Sequence, residues 1–357
     1  LNNSKQKYPK VTIILPVRNE GNYIRATLDG VLAQDYPVEQ MKILIADGMS
    51  TDNTRKIIND YQLKHTNIIL LDNPGRIVPT GMNIALRKTQ GDIIIRVDGH
   101  CIIAPDYVRK CVEHLENDAV DGVGGPMETI GEDKLSETIA IAMSSPFGVG
   151  NSAFRTTSGK TMLADTVPFP AYTRSIIQKA GLYDEELVRN QDDEYNYRIR
   201  ELDGKLLLAK DVRSKYYSRG SFRKLWKQYF QYGFYKVRVL QKHPRQMSLR
   251  QFVPPLFVLC QLTALVLAII TNRGWIIFTA IAGSYILANL TVSIITSAKK
   301  GWSNLWLLPV VFAIIHISYG SGFLAGLFKF WNRWQDRLGR VPIISNAHIC
   351  EGENENS

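Results

Sequence analysis

Val11-Thr12-Ile13-Ile14-Leu15-Pro16-Val17-Arg18-Asn19-Glu20 is an apolar run that ends abruptly in polar residues. An unbroken aliphatic run of this length, without alternation, reads as a strand buried on both faces. Asn22 to Gln34 follows with Ile24, Leu28, Val31 and Leu32 at helical spacing, and Tyr36-Pro37 stops it. Working outward, Met41 to Ala46 reads as a second strand and Asp52 to Tyr61 as a helix opened by the capping residues Ser50 and Thr51. Ile68 to Leu71 is a third strand and Thr80 to Lys88 a helix, and Gly91 turns the chain into a fourth strand, Asp92 to Val97. Alternation of this kind predicts an α/β fold with a mostly parallel sheet flanked by helices, its ligands bound beyond the carboxyl ends of the strands.

Polar groups stand just after each of these strands: Asn19-Glu20, Asp47-Gly48, Asn73-Pro74-Gly75-Arg76 and Asp98-Gly99-His100. Any one of them reads as ordinary turn chemistry. Four in corresponding positions point to a shared site. Asp98 and His100, one residue apart on extended chain, face the same side and suit one divalent cation, Mg2+ or Mn2+; the plainer reading is a capping aspartate and a solvent-facing histidine. Asp47 offers a carboxylate to a base or ribose, Gly48 lets backbone approach closely, and Arg76 is placed to neutralise a diphosphate. An N-capping turn and a solvated arginine are the alternatives there. Asp192-Asp193-Glu194 put three acids into the first turn of a helix running through Arg200, which suits the helix dipole, while crowding raises the proton affinity of one acid toward that of a general base.

Taken in order, Pro16-Val17-Arg18-Asn19-Glu20, Ala46-Asp47-Gly48-Met49-Ser50-Thr51-Asp52, Gly81-Met82-Asn83-Ile84-Ala85, Asp98-Gly99-His100 and Gln191-Asp192 resemble the motifs of the family 2 inverting glycosyltransferases of the GT-A fold, over about residues 9–245. With its apolar C-terminal part the chain is similar to the bacterial exopolysaccharide enzymes of the succinoglycan-biosynthesis type. The resemblance implies a nucleotide-diphosphate sugar donor, UDP-linked rather than GDP-linked, and a polyprenyl-phosphate-linked saccharide acceptor. It implies that Pro16, Asn19, Glu20, Asp47, Gly48, Arg76 and Asp98 bind the donor and that Asp98 and His100 take the place of the D-x-D metal motif. On the same resemblance Asp192 is the catalytic base. Ser221 to Gln241, with aromatics on one helical face and Arg223, Lys224, Lys227 and Arg238 around them, reads as a helix in the headgroup layer, or alternatively as a core helix beneath the sheet, and Asp193, Trp226, Gln228 and Tyr232 are the candidates to meet the acceptor or the membrane interface. His100 stands where the D-x-D motif has its second aspartate. Gln228-Tyr229-Phe230-Gln231-Tyr232 stands where processive synthases carry Q-x-x-R-W and lacks both Arg and Trp, which disfavours polymerisation.

The chain has 357 residues, 45% of them hydrophobic, and a formal charge of +10. That excess is local: residues 1–210 hold 25 Lys/Arg against 28 Asp/Glu, whereas residues 211–250 hold 11 against 1. The runs from Phe252 to Thr271, Trp275 to Thr296 and Leu305 to Phe328 are each long enough to cross a hydrocarbon core of ~30 Å. A basic strip beside such runs reads as contact with anionic lipid headgroups, and the adjacent spans rule against nucleic acid as its partner. The expected organisation is a catalytic domain over 1–210, a basic interfacial segment over 211–250, a transmembrane region over 251–330 and a polar tail over 331–357. The expected location is the bacterial inner membrane, multi-pass, with the catalytic domain in the cytoplasm. A third full crossing would place Lys329, Arg333, Arg337 and Arg340 opposite the other cations, against the positive-inside tendency; His316, Ser318 and Gly320-Ser321-Gly322 weaken that run's centre, so a re-entrant run or one packing its small residues against the other helices is the alternative, although three spans remain the reading. Cys101, Cys111, Cys260 and Cys350 form no C-x-x-C pair, which predicts reduced thiols. No signal-peptide pattern precedes the first strand. A catalytically silent GT-A-fold binding protein and a membrane component of polysaccharide export are the competing functions.

Overall fold

The computed structural model describes residues 8–150, 152–156, 159–218, 220–336 and 341–342. The expectations for Arg337, Arg340, Cys350 and most of the tail lie outside the described residues. The chain divides into two compact units, one from residues 8–128 and 159–216, the other from 129–156 and 217–336.

The first unit is built on an eight-stranded sheet in the order Ile68–Asp72, Met41–Asp47, Val11–Val17, Ile93–Arg96, Ala171–Thr173, Gly122–Gly124, Leu206–Leu208, Met162–Leu163. The first four strands are parallel, with Val11 opposite both Met41 and Ile93, and Ile43 opposite Ile68. Every residue of Val11–Val17 is buried, because the strand has a neighbour on each edge and helices on its faces. The helices Ile24–Leu32, Thr54–Gln62 and Val78–Lys88 stand where the spacing places them; the last begins two residues early because Pro79 fits a first helical turn. Beyond Ile93–Arg96 the sheet changes sense: Ala171–Thr173 runs antiparallel to that strand and to Gly122–Gly124.

The second unit is helical. Lys134–Met143 opens on a capping box in which Asp133 Oδ1 accepts from Ser136 N at 2.7 Å and Ser136 Oγ accepts from Asp133 N at 2.9 Å. Its buried Ile139, Ala142 and Met143 cluster with Leu225 and Tyr229 of the helix Phe222–Lys242 and with Leu308, Phe312 and Ile315 of the helix Leu308–Lys329. The sequence reading groups residues 129–156 with the sheet; the apolar face of Lys134–Met143 instead draws this segment into the helical unit. Leu249–Ile270, Arg273–Lys300 and Leu308–Lys329 are long and apolar enough to cross a membrane. Not every cation of the basic strip faces outward, since Lys236, Arg238 and Lys242 are buried. Arg238 is held by Gln241 Oε1 at 2.5 Å and by the carbonyls of Arg333 and Asp336, each at 3.2 Å. Cys101 and Cys111 are buried free thiols, as is the half-buried Cys260 free.

Candidate active site

In the sheet unit, loops at the carboxyl ends of the first two strands are laced together by side chains that bond the neighbouring backbone. Ser50 Oγ accepts from Asn19 N, Asn19 Oδ1 from Thr51 N and Thr54 Oγ1 from Glu20 N, each at 2.8 Å, and Asp52 Oδ2 accepts from Gly21 N at 3.0 Å. Asn19, Met49 and Arg76 turn these ends with φ of 56°, 55° and 58°, a conformation that costs energy in residues with side chains. Asp47 is fully buried beneath them. Its Oδ1 accepts from Ser50 Oγ at 2.5 Å, and its Oδ2 accepts from Ser50 N at 3.0 Å and pairs with Arg55 at 2.9 Å. Arg55 also reaches Asp72 at 2.7 Å, tying the second strand end to the third.

At the fourth strand end the organising residue is Arg96. Its buried guanidinium donates from Nε and Nη2 to Asp98 Oδ1 at 3.0 and 2.8 Å, and its Nη1 pairs with Asp192. Burial alone would push the Asp98 carboxyl up, but the charges of Arg96, His100 and Arg189 outweigh it and hold the group below the usual carboxylate range. Gly99 has no side chain because a Cβ there would lie 2.9 Å from both Glu20 Cγ and Val17 Cγ1. That close approach sets His100 Nδ1 3.0 Å from Glu20 Oε1, with the ring edge-on to Tyr216 at 4.8 Å. His100 Nε2 is then buried with no hydrogen-bond partner among the described residues.

Asp192 comes to this place on the helix Gln191–Glu201, entered through Asn190 at φ 62°. The three acids of its first turn do not act as one crowded group. Glu194 is buried and accepts from Arg198 Nε and Nη2 at 3.0 and 2.9 Å, while Asp192 faces Arg96. The segment leading into the helix is pinned by buried Asn83, which donates to the Tyr183 carbonyl at 2.9 Å and accepts from its N–H at 2.8 Å.

Arg96 thus joins Asp98 to Asp192, and Glu20 holds His100, two residues after Asp98; Asn19, Asp47 and Gly48 lie at the ends of the neighbouring strands. Pro16 is buried in its strand opposite Ala46, and Arg76 is exposed, its carbonyl accepting from Arg18 at 3.5 Å. Asp193 follows Asp192 on the same helix. Trp226, Gln228 and Tyr232 belong to the helical unit: Trp226 is exposed, and buried Gln228 donates to the Tyr232 hydroxyl at 3.1 Å. Sequence reasoning passed over Arg96 and Arg55. Arg96 does carry a signal, being the lone charge inside Ile93-Ile94-Ile95-Arg96-Val97, where a buried guanidinium demands acidic partners. Among the described residues no group of three or more His, Cys, Asp and Glu gathers as a metal cage.

The sequence matches Glycosyl transferase family 2 over residues 12–184. It is 30% identical over 327 residues to the dolichyl N-acetyl-alpha-D-glucosaminyl phosphate 3-beta-D-2,3-diacetamido-2,3-dideoxy-beta-D-glucuronosyltransferase of Methanococcus voltae, covering 89% of this chain and 97% of that one. It is also 30% identical over 244 residues to the succinoglycan biosynthesis protein ExoA of Rhizobium meliloti, covering 68% and 73% of the two chains. Among solved structures, the mannosyltransferase PcManGT of Pyrobaculum calidifontis, in complex with GDP-Man and Mn2+, superposes with a TM-score of 0.58 at 16% identity, over 91% of this chain and 88% of that one, a likeness of fold. The strand-end motifs, the GT-A-like sheet and relatives matched over most of their length agree: this chain is a glycosyltransferase of family 2.

Proposed function

We propose that the protein moves one sugar from a UDP-sugar to a polyprenyl-phosphate-linked saccharide at the cytoplasmic membrane, with inversion at the anomeric carbon. The observation that carries this reading is Arg96 joined to both Asp98 and Asp192, which links the acid at the fourth strand end to the acid on the helix Gln191–Glu201. The acceptor hydroxyl gives its proton to the Asp192 carboxylate as its oxygen attacks the anomeric carbon. The bond from that carbon to the diphosphate breaks, and the nucleoside diphosphate leaves with the electron pair. Asn19, Glu20, Asp47 and Gly48 shape the donor pocket, Pro16 supports it from within its strand, and exposed Arg76 is available to the diphosphate. Asp193, Trp226, Gln228 and Tyr232 are the proposed acceptor-side or interfacial residues.

Asp98 and the unpartnered Nε2 of His100 fit a divalent cation of the Mg2+ or Mn2+ kind, which commonly takes one or two protein donors and completes its shell with phosphate oxygens and water. When bound, that ion supplies positive charge to the diphosphate. Glu20, through its contact with Nδ1, fixes the imidazole so that Nε2 is the nitrogen presented. The relatives support a lipid-borne acceptor in glycan synthesis: the Methanococcus voltae enzyme is named for a dolichyl-linked sugar phosphate and the Rhizobium meliloti protein for succinoglycan biosynthesis.

Asp192→Asn is expected to bind UDP-sugar as the parent does in calorimetry while transfer drops by two to four orders of magnitude, about the size of a general-base contribution. Turnover near that of the parent would remove Asp192 from the role.

A further inference from the structure

Composition marks Leu308–Lys329 as a third span, but its neighbours place it elsewhere. The helices Val253–Ile270 and Asn272–Lys300 turn on Thr271 and run antiparallel, with Phe257 stacked on Tyr285 at 4.5 Å between ring centroids. At 1.5 Å per residue both of those rings stand about 21 Å from the turn, so distance from Thr271 serves as a ruler of depth in the bilayer. Asn289 donates to the Pro309 carbonyl at 3.0 Å, and Tyr285 meets His316 Nδ1 at 3.0 Å. A Cβ on Gly320 would lie 2.5 Å from the Pro254 carbonyl, and Phe323 packs edge-on to Phe252 at 5.8 Å. On the ruler these hairpin residues stand at about 27, 21, 26 and 28 Å. Gly320 also faces Val258, at about 20 Å, so that while the helix advances about 21 Å along its own axis between Pro309 and Phe323, its contacts with the hairpin stay within about 9 Å of one depth. A crossing helix would have descended most of the hydrocarbon thickness over that length.

A second helix lies beside it in the same direction. Phe222–Lys242 starts with Leu225 in the cluster of Leu308 and Phe312, and ends with Arg238 bonded to the carbonyls of Arg333 and Asp336. In between the two backbones touch: a Cβ on Gly233 would lie 2.0 Å from the Tyr319 carbonyl, and one on Gly322 would lie 2.0 Å from the Phe230 carbonyl. Phe222–Lys242 exposes Arg223, Lys224 and Lys227 and contains no acid, so hydrocarbon cannot surround it. Its partner shares its depth.

We infer that Leu308–Lys329 does not cross the membrane, and that it and Phe222–Lys242 form a pair of in-plane helices whose partner is the headgroup–acyl boundary of one leaflet. The hairpin of Val253–Ile270 and Asn272–Lys300 is then the membrane-crossing part of the described residues. Residues 330–336 return to the side of residues 220–252, which puts Lys299, Lys300, Lys329 and Arg333 on one face and removes the conflict with the charge rule. Exposed Trp226, Trp302, Trp306, Trp331 and Trp334 supply the amphipathic rings such a boundary takes.

Nitroxide depth measurements on the full chain in phosphatidylcholine–phosphatidylglycerol nanodiscs test this, with Cys260 and Cys350 replaced by serine. Labels at exposed Val310 and Phe328 are expected at depths within about 5 Å of each other, whereas Leu256 and Ile269 on the hairpin differ by about 20 Å. A separation near 27 Å between Val310 and Phe328 overturns the inference. In sealed vesicles an impermeant maleimide is expected to label Trp334→Cys from the same side as Leu249→Cys and from the side opposite Thr271→Cys. Labelling of Trp334→Cys from the side of Thr271→Cys overturns it as well. Nucleotide-sugar hydrolysis by each variant reports that it has folded.

Discussion

Arg96 decides more of the site's behaviour than any residue the motifs name. Its fork donates twice to Asp98 Oδ1 and reaches Asp192 with its remaining nitrogen, so one buried cation neutralises the proposed cation ligand and the proposed base together. Removing it leaves two carboxylates without their shared counter-charge. Arg96→Gln is expected to cost about 1 to 3 kcal/mol of stability, the price of leaving charge-assisted bonds unmade. The same change frees Asp98, so Mn2+ is expected to bind several-fold more tightly in calorimetry while sugar transfer falls at least tenfold. A purely structural arginine would lose stability and transfer without tightening the ion, and that outcome rejects the coupling. Arg96→Lys keeps the charge but not the planar fork, and is expected to fall between the two.

At the scale of elements, the helix Tyr107–Asn117 shows how a local ion cluster carries a pH signature. His114 Nδ1 lies 2.6 Å from Asp118 Oδ2 and its Nε2 3.0 Å from Asp211 Oδ1. Burial pulls the imidazole down, but hydrogen bonds to the two carboxylates outweigh it and leave it titrating above its ordinary value. The stabilisation is therefore fully present below about pH 6.5 and fades as pH rises through the folded value. His114→Gln is expected to lower the melting temperature more near pH 6 than near pH 8, and an equal loss at both rejects the charged pairing. The elements themselves were legible wherever burial left a periodic trace, as in Val11–Val17 with its edges paired or Ile24–Leu32 with its one apolar face. The strand ends were legible because glycine and acids gather there. Asn19, Met49, Arg76 and Asn190 hide their left-handed turns, since none is glycine and only the surrounding bonds hold them there. A short strand near Val167–Tyr172 was legible, but the antiparallel sense of Ala171–Thr173 and the place of Lys134–Met143 in the helical unit depend on contacts distant in sequence, for which spacing has no signal. Leu308–Lys329 is long and apolar enough to cross a membrane, and on the inference above it lies in the plane of the bilayer instead. Apolarity measures what a helix can bury, and here much of that burial is against other helices, with Phe312 and Ile315 in a shared core.

For the whole molecule the governing quantity is where the positive charge meets lipid. Of the cations in Phe222–Lys242, Lys236, Arg238 and Lys242 are consumed inside the helical unit, which leaves Arg223, Lys224 and Lys227 exposed around Trp226. Cations at a membrane surface attract anionic headgroups by about 1 kcal/mol each. Replacing all three by glutamine is therefore expected to weaken capture of a phosphate-bearing lipid by up to about 3 kcal/mol, or roughly two orders of magnitude. Because the hairpin still anchors the chain, the loss is expected in KM for an undecaprenyl-phosphate-linked saccharide and not in kcat, measured in nanodiscs. Transfer to the same saccharide without its lipid phosphate, and hydrolysis of the UDP-sugar, are expected to be unchanged. The difference between parent and variant is expected to shrink as salt rises, since surface charges are screened over about 8 Å at physiological ionic strength. A triple variant whose KM for the lipid acceptor matches that of the parent at low salt would mean that these cations hold the helix at the membrane surface without gathering substrate.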